Sequence, residues 1–282
     1  MHGVATHDRS AHAASLQDKK PHTHRTRVCL KAVSYLLAAL LLLSFSGCSK
    51  KSVVFGISAD TPPLSSRQSG QPTGFIVEMA REVGKRMGVE VSFRYVNMRS
   101  GASNFNTLGA GAKGVDVLWG QLEPGDQNKK QMLFTDYYLH DSQILLVESA
   151  SKVLSRKNLS GKVIGAVSQT AAERALTKAG IITKKQHESL VLLTDPVSAF
   201  LALDSFKVSA IAVDESYALS RMTEHAEQYR ILDGRLSSES YAVAVRRNDP
   251  DLRDAINKAL KAMKADGTST TISKKWFGRD LT

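Results

Sequence analysis

Cysteine is close to absent from this chain of 282 residues: there are two, Cys29 and Cys48. No pair remains beyond residue 48, so no disulfide framework is available to the main body. Histidine is sparse after residue 24, where His140, His187 and His225 stand isolated and give no metal-ligand spacing. The phosphate-cradling pattern GxxxxGK[ST] is missing. Aromatic residues make up 6%, and no stripe of Lys and Arg interleaved with them marks a nucleic-acid face. Past residue 47 no apolar run approaches the ~20 residues that a spanning helix needs. These absences leave a globular protein held by its core, for which we expect no cofactor, no metal and no nucleic-acid partner.

What is present is unevenly placed. The formal charge is +11. Residues 1–47 carry six Lys/Arg against two Asp/Glu, and the remaining 235 carry 32 against 25. So mild a surplus suits a neighbouring anionic surface or an acidic ligand. Residues 32–45, AVSYLLAALLLLSF, follow Arg25, Arg27 and Lys31 and end before small residues. A basic flank, a short apolar stretch and small residues describe a secretory signal. Residues 1–24 hold five of the eight histidines and read as a leader ahead of it. Ser46-Gly47-Cys48 resembles a bacterial lipobox, with Phe45 where that pattern usually has Leu. The resemblance implies cleavage before Cys48, a lipid on its thiol, and a periplasm-facing protein anchored to a membrane. Acyl chains contribute ~0.8 kcal/mol per buried CH2, and Lys50 and Lys51 would face anionic headgroups.

Strands and helices alternate along the rest. Residues 51–58 read as a β-branched strand broken by Pro62-Pro63, and 65–74 as a polar turn. Apolar residues at 75, 76, 79, 80, 83 and 87 mark a helix stopped by Gly88. Val89, Val91, Phe93 and Tyr95 alternate as a second strand. Residues 99–114 carry a weak helical signal. Val115, Val117 and Leu118 form a strand leading into a polar loop, Gly120 to Asn128, after which Met132 begins an extended stretch to Val147. Further strands are expected at 163–167, 191–193, 210–213 and 241–246. Thr170-Ala171-Ala172-Glu173 has capping-box spacing. Asp195-Pro196 and Asp249-Pro250 open helices, and a last helix carries Ile272, Trp276 and Phe277. Two β/α sets, 51–147 and 161–231, imply a mostly parallel sheet.

An ordered set of landmarks sharpens this. They are Gly74-Phe75, Val115-Asp116-Val117, Phe134 to Tyr138 (FTDYY), Gly161 to Gly165 (GKVIG), Val213-Asp214-Glu215, and a tail from Asn248-Asp249-Pro250 through Asp266-Gly267-Thr268 to Trp276-Phe277-Gly278. With them the chain resembles the family 3 extracellular solute-binding proteins, polar amino-acid binding components of ABC importers, from about Ser52 to Gly278. The resemblance implies an α/β, two-lobed, type II periplasmic-binding-protein fold. Each lobe would be a mixed, mostly parallel sheet flanked by helices, with two crossing hinge strands. Lobe 1 would take 48–146 plus 242–282, and lobe 2 would take 147–241. A monomer would capture a small solute between the lobes and pass it to a membrane permease.

The same resemblance places the ligand. Asp214 matches an Asp that takes an ammonium, a suitable role for an acceptor-only group. Its bland alternative is a helix N-cap ahead of Ser216. Ser58, Asp60, Thr61 and Leu64 match a loop that packs on the ligand's side chain. Trp119, Gly120, Gln121, Glu123 and Asn128 fall on the ligand loop, and Gln169 and Thr170 at a facing helix start. Trp119 reads either as a stacking platform or as core, and Thr170 either as a ligand contact or as a cap alone. The family's carboxylate-gripping Arg would fall at residue 128, where this chain has Asn, and a small hydroxyl residue is replaced by Glu123. The loop thus loses a cation and gains an acid. Two carboxylates in one cleft repel and raise one pKa unless a cation sits between them, which points to a cationic or amide-rich guest. Two other functions stay open. One is a cyclohexadienyl dehydratase-like enzyme with Glu123 as general acid, and the other is a sensory lipoprotein with a degenerate pocket.

Overall fold

The computed structural model describes residues 51–98, 108, 114–182 and 189–282. The chain divides into a unit of residues 1–49 and a unit of 50–282, and all described residues belong to the second. The signal segment, Cys48, His187 and most of the weak helix at 99–114 lie outside the described residues. Among the described residues no helix is long and apolar enough to cross a membrane.

β1 (Ser52–Ile57) turns Val53, Phe55 and Ile57 into the core. β2 (Asp60–Thr61), β3 (Ser65–Gln68) and β4 (Gln71–Thr73) then build a small antiparallel sheet. The sequence indicates only a polar turn there. Ser69 and Gly70 in left-handed conformation close its hairpin. α1 (Phe75–Met87) buries the face foreseen from its periodicity, and left-handed Gly88 ends it. Gly74, at φ 123°, must be glycine, because a Cβ there would lie 2.5 Å from the Leu64 carbonyl oxygen.

β5 (Glu90–Tyr95) and β6 (Val117–Leu118) pair parallel with β1. The polar loop after β6 holds a one-turn helix, α2 (Asp126–Lys129), and returns into β7 (Met132–Glu148), 17 residues long. β8 (Ile164–Val167), α3 (Ala171–Lys178), β9 (Leu190–Leu193), α4 (Pro196–Asp204), β10 (Ala210–Asp214), α5 (Glu215–Glu224) and β11 (Tyr229–Ile231) follow. β12 (Ser237–Arg246) runs back antiparallel to β7, and α6 (Pro250–Ala265) and α7 (Thr268–Phe277) finish the chain. Asp195 and Asp249 cap α4 and α6, accepting from Ser198 N–H at 2.8 Å and Leu252 N–H at 3.2 Å.

The large sheet has the order β5-β1-β6-β12-β7-β10-β8-β9, with β11 also on β7. Its ends are parallel, and its middle is the antiparallel pair β7 and β12. One core, rich in aromatics, joins Phe55, Phe75, Trp119, Tyr138 and Phe277. Beyond it the strand period of two separates two more clusters. Ile144, Leu146, Ile211 and Val213 face one side, and Leu145, Val147, Ala210 and Ala212 the other. Between the aromatic core, which ends on β7 at Leu139, and Ile144 the strand buries three polar residues in a row, Asp141, Ser142 and Gln143. Buried polar groups demand partners, and theirs define the site.

Candidate functional site

Strand register brings four side chains to one face of the crossing strands. Gln143 lies opposite Asp214 of β10 and opposite Ser237 of β12, while Asp141 lies opposite Glu239. Gln143 is wholly buried. Its amide nitrogen donates to Asp214 Oδ1 at 2.7 Å and to Glu239 Oε2 at 3.1 Å, so one amide bridges two carboxylates. Its own oxygen, equally buried, has no hydrogen-bond partner. Glu239 also accepts from Tyr241 Oη at 2.6 Å and Ser237 Oγ at 3.1 Å. From the ligand loop, Gln121 Nε2 donates to Asp214 Oδ1 at 3.4 Å.

Asp214 is the N-cap residue of α5, yet its side chain makes no cap bond. Asp141 does that work from the neighbouring strand. Asp141 Oδ1 accepts from the N–H of Ser216 at 3.0 Å and of Ser142 at 2.8 Å, and Oδ2 accepts from Ser216 Oγ at 2.6 Å. The helix start is thereby satisfied, and the Asp214 carboxylate is released from it.

The electrostatics follow from this crowding. Burial, then the nearby Asp141 and Glu239 charges, push the Asp214 carboxyl up from 3.8 to about 7, against the pull of its Gln143 bond. Burial pushes Asp141 up too, opposed by its bonds from Ser216 and Ser142. Glu123 is raised by partial burial and by Glu239, with Arg174 opposing. Burial and the surrounding acids also raise the Tyr241 phenol, so it stays a donor. Among the described residues no Lys or Arg forms an ion pair with Asp141, Asp214 or Glu239. Nor do three His, Cys, Asp or Glu side chains converge closely enough to hold a metal ion. Such a set of acceptors is able to receive several N–H groups.

Residues 53–279 match the model of the bacterial extracellular solute-binding proteins, family 3. The chain belongs to that family. It is similar to the glutamine-binding protein of an ABC transporter from Bacillus subtilis, 30% identical over 232 residues, covering 81% of this chain and 82% of that one. It is also similar to an arginine-binding extracellular protein of the same organism, 25% identical, with 86% and 96% covered. Among solved structures it resembles an ancestral cationic amino acid solute binding protein, with TM-score 0.69, 26% identity, and 80% and 95% covered. The fold is accordingly the two-lobed type II periplasmic-binding-protein fold.

In this family 3 solute-binding protein the residues foreseen from the sequence scatter. Gln121, Glu123 and Asp214 gather at the cluster. Ser58 Oγ donates to Asp60 Oδ1 at 2.6 Å, and Thr61 Oγ1 donates to the Ser65 carbonyl at 3.3 Å, so these bond within their own turn. Two expected ligand contacts are core instead. Leu64 is buried beside α1, and Trp119 is fully enclosed between Phe55 and Tyr138. Gly120 gives its carbonyl to Tyr138 Oη at 2.9 Å. Asn128 donates Nδ2 to the Glu123 carbonyl at 3.1 Å and so braces its own loop. The capping box at Thr170 is not made. Thr170 Oγ1 donates to the Val167 carbonyl at 2.6 Å, and Glu173 accepts from the N–H of Gln169, which stands at φ 61°. A residue earlier than expected, the backbone has turned left-handed and takes the return bond. Sequence reasoning missed Asp141, Gln143, Glu239 and Tyr241. For Asp141 and Gln143 the one signal was the polar run HDSQ entering an otherwise apolar strand. A cavity of about 440 Å³ beside Lys152, Lys162 and Phe206 shares no residue with the cluster.

Proposed function

We propose that this protein captures a small, polar, amino-acid-like solute of cationic character between its lobes and delivers it to an ABC permease. Lobe 1 is residues 48–146 with 242–282, and lobe 2 is 147–241. A lipid on Cys48 tethers the monomer outside the cytoplasm, and no chemistry is performed on the guest. The observation that carries the reading is Asp214. It is mostly buried, relieved of capping by Asp141, and reached by Gln143 on a crossing strand and Gln121 on the ligand loop. Names of similar proteins that bind glutamine and arginine support a nitrogen-rich guest. Melting the protein against a panel of amino acids and amines tests it. A true ligand at a hundred times its Kd adds about 2.7 kcal/mol of stability, and a panel with no shift refutes capture.

One observation favours a second reading. The raised pKa of Glu123 suits a general acid, as a dehydratase would need. The surrounding carboxylates oppose it, since the ring acid such an enzyme converts is an anion. Incubation with prephenate or arogenate, followed by absorbance, decides between them, and turnover would make this an enzyme.

A further inference from the structure

We propose that the guest is an alkyl amine or guanidine carrying no carboxylate, held by Asp214, Glu239 and the unpartnered oxygen of Gln143. The inference rests on the solute-capture reading above and names its substrate class. Gln143 is wholly buried, and its amide nitrogen is committed to Asp214 and Glu239. Its oxygen is buried beside them with no donor to accept from. A buried acceptor without a donor is costly, and a guest N–H laid between the two acids supplies one. A guanidinium has five such donors in a fixed fork, and an ammonium has three. Either one also neutralises two acids that no Lys or Arg among the described residues pairs with.

Among the described residues no Lys or Arg forms an ion pair within the cluster that could be handed to the other end of an amino acid. Asn128 is occupied with the Glu123 carbonyl. The charges of Glu123 and Glu239 act on one another, and both would repel a guest anion. Arg174, whose charge acts on Glu123, donates Nη1 to the Gln169 carbonyl at 3.4 Å. A guest carboxylate would have to pull it from both. Removing the carboxylate from the guest therefore strengthens binding.

Agmatine and arginine differ by that carboxylate alone, as do cadaverine and lysine. Calorimetric titration of the full chain with each pair at pH 8 reads the difference directly. We expect agmatine to bind at least tenfold tighter than arginine, with the same order for cadaverine over lysine, and Glu239→Gln to weaken agmatine at least tenfold. Arginine binding as tightly as agmatine, or more so, overturns the inference and leaves solute capture standing. Glu239→Gln that folds and binds agmatine unchanged also overturns it. If the panel of amino acids and amines contains no ligand at all, both fall together.

Discussion

Asp214 and Glu215 are consecutive acids at the join of β10 and α5, and the structure treats them oppositely. Glu215 is buried and meets two arginines, Arg279 from the segment after α7 and Arg235 at 3.4 Å. Asp214 meets two amides and two more acids. A buried charge that serves the fold is matched, by fixed cations at Glu215 or by helix-start donors at Asp141, since one left alone costs several kcal/mol. Asp214 lacks such a match, and the helix it begins is capped by another residue. The difference separates an acid that ties the C-terminal segment to α5 from one left without a cation, as the proposed capture of a cationic guest requires.

Asp214→Asn tests that contrast most severely. Cation affinity should fall at least a hundredfold by calorimetry, because a charge-assisted contact becomes a neutral one. The ligand-free protein should melt no lower at pH 8, since repulsion with Asp141 and Glu239 is gone. A loss of affinity under tenfold would erase the distinction between the two acids. Arg279→Ala should do the reverse, lowering stability to urea by about 2 kcal/mol, because Glu215 keeps only the largely exposed Arg235. Solute affinity should stay within twofold.

Asp141→Ala removes the cap of α5, which costs about 1–2 kcal/mol. Relief of repulsion offsets part of this, so a net loss of about 1 kcal/mol is expected, together with a lower Asp214 pKa by carboxyl NMR. A further effect is on pH. Asp214 titrates at about 7 folded against 3.8 ordinarily, so the folded state holds an extra proton between those values. Its contribution to stability is full below pH 3.8 and is lost as pH rises through 7. The groups facing it are Asp141 and Gln143 of β7, Glu239 and Tyr241 of β12, and Gln121. A cationic guest must displace that proton, so its affinity should climb tenfold or more from pH 5.5 to pH 8. Asp214→Asn should flatten the profile.

Much of the architecture was legible where local chemistry is decisive. The face of α1 and its Gly88 stop, the Asp195-Pro196 and Asp249-Pro250 helix starts, and the long run into β7 are each set by residues within a few positions. The helix start at Thr170 was placed rightly, but its capping box is not made because a left-handed Gln169 diverted the Glu173 bond. Trp119 offered two readings that only its neighbours, far off in the chain, could separate. Asp214 was visible as a candidate, but its competing role as a cap was settled by Asp141, 75 residues from the Ser216 it bonds.

By itself the sequence determined the family and most of the order of strands and helices, because these are written in spacing and residue type. Only the tertiary structure decided which acids lack cations and which amide is left with an idle oxygen. Those properties depend on strand register, where β7 lies between β10 and β12, and no residue carries its distant neighbours in its own chemistry.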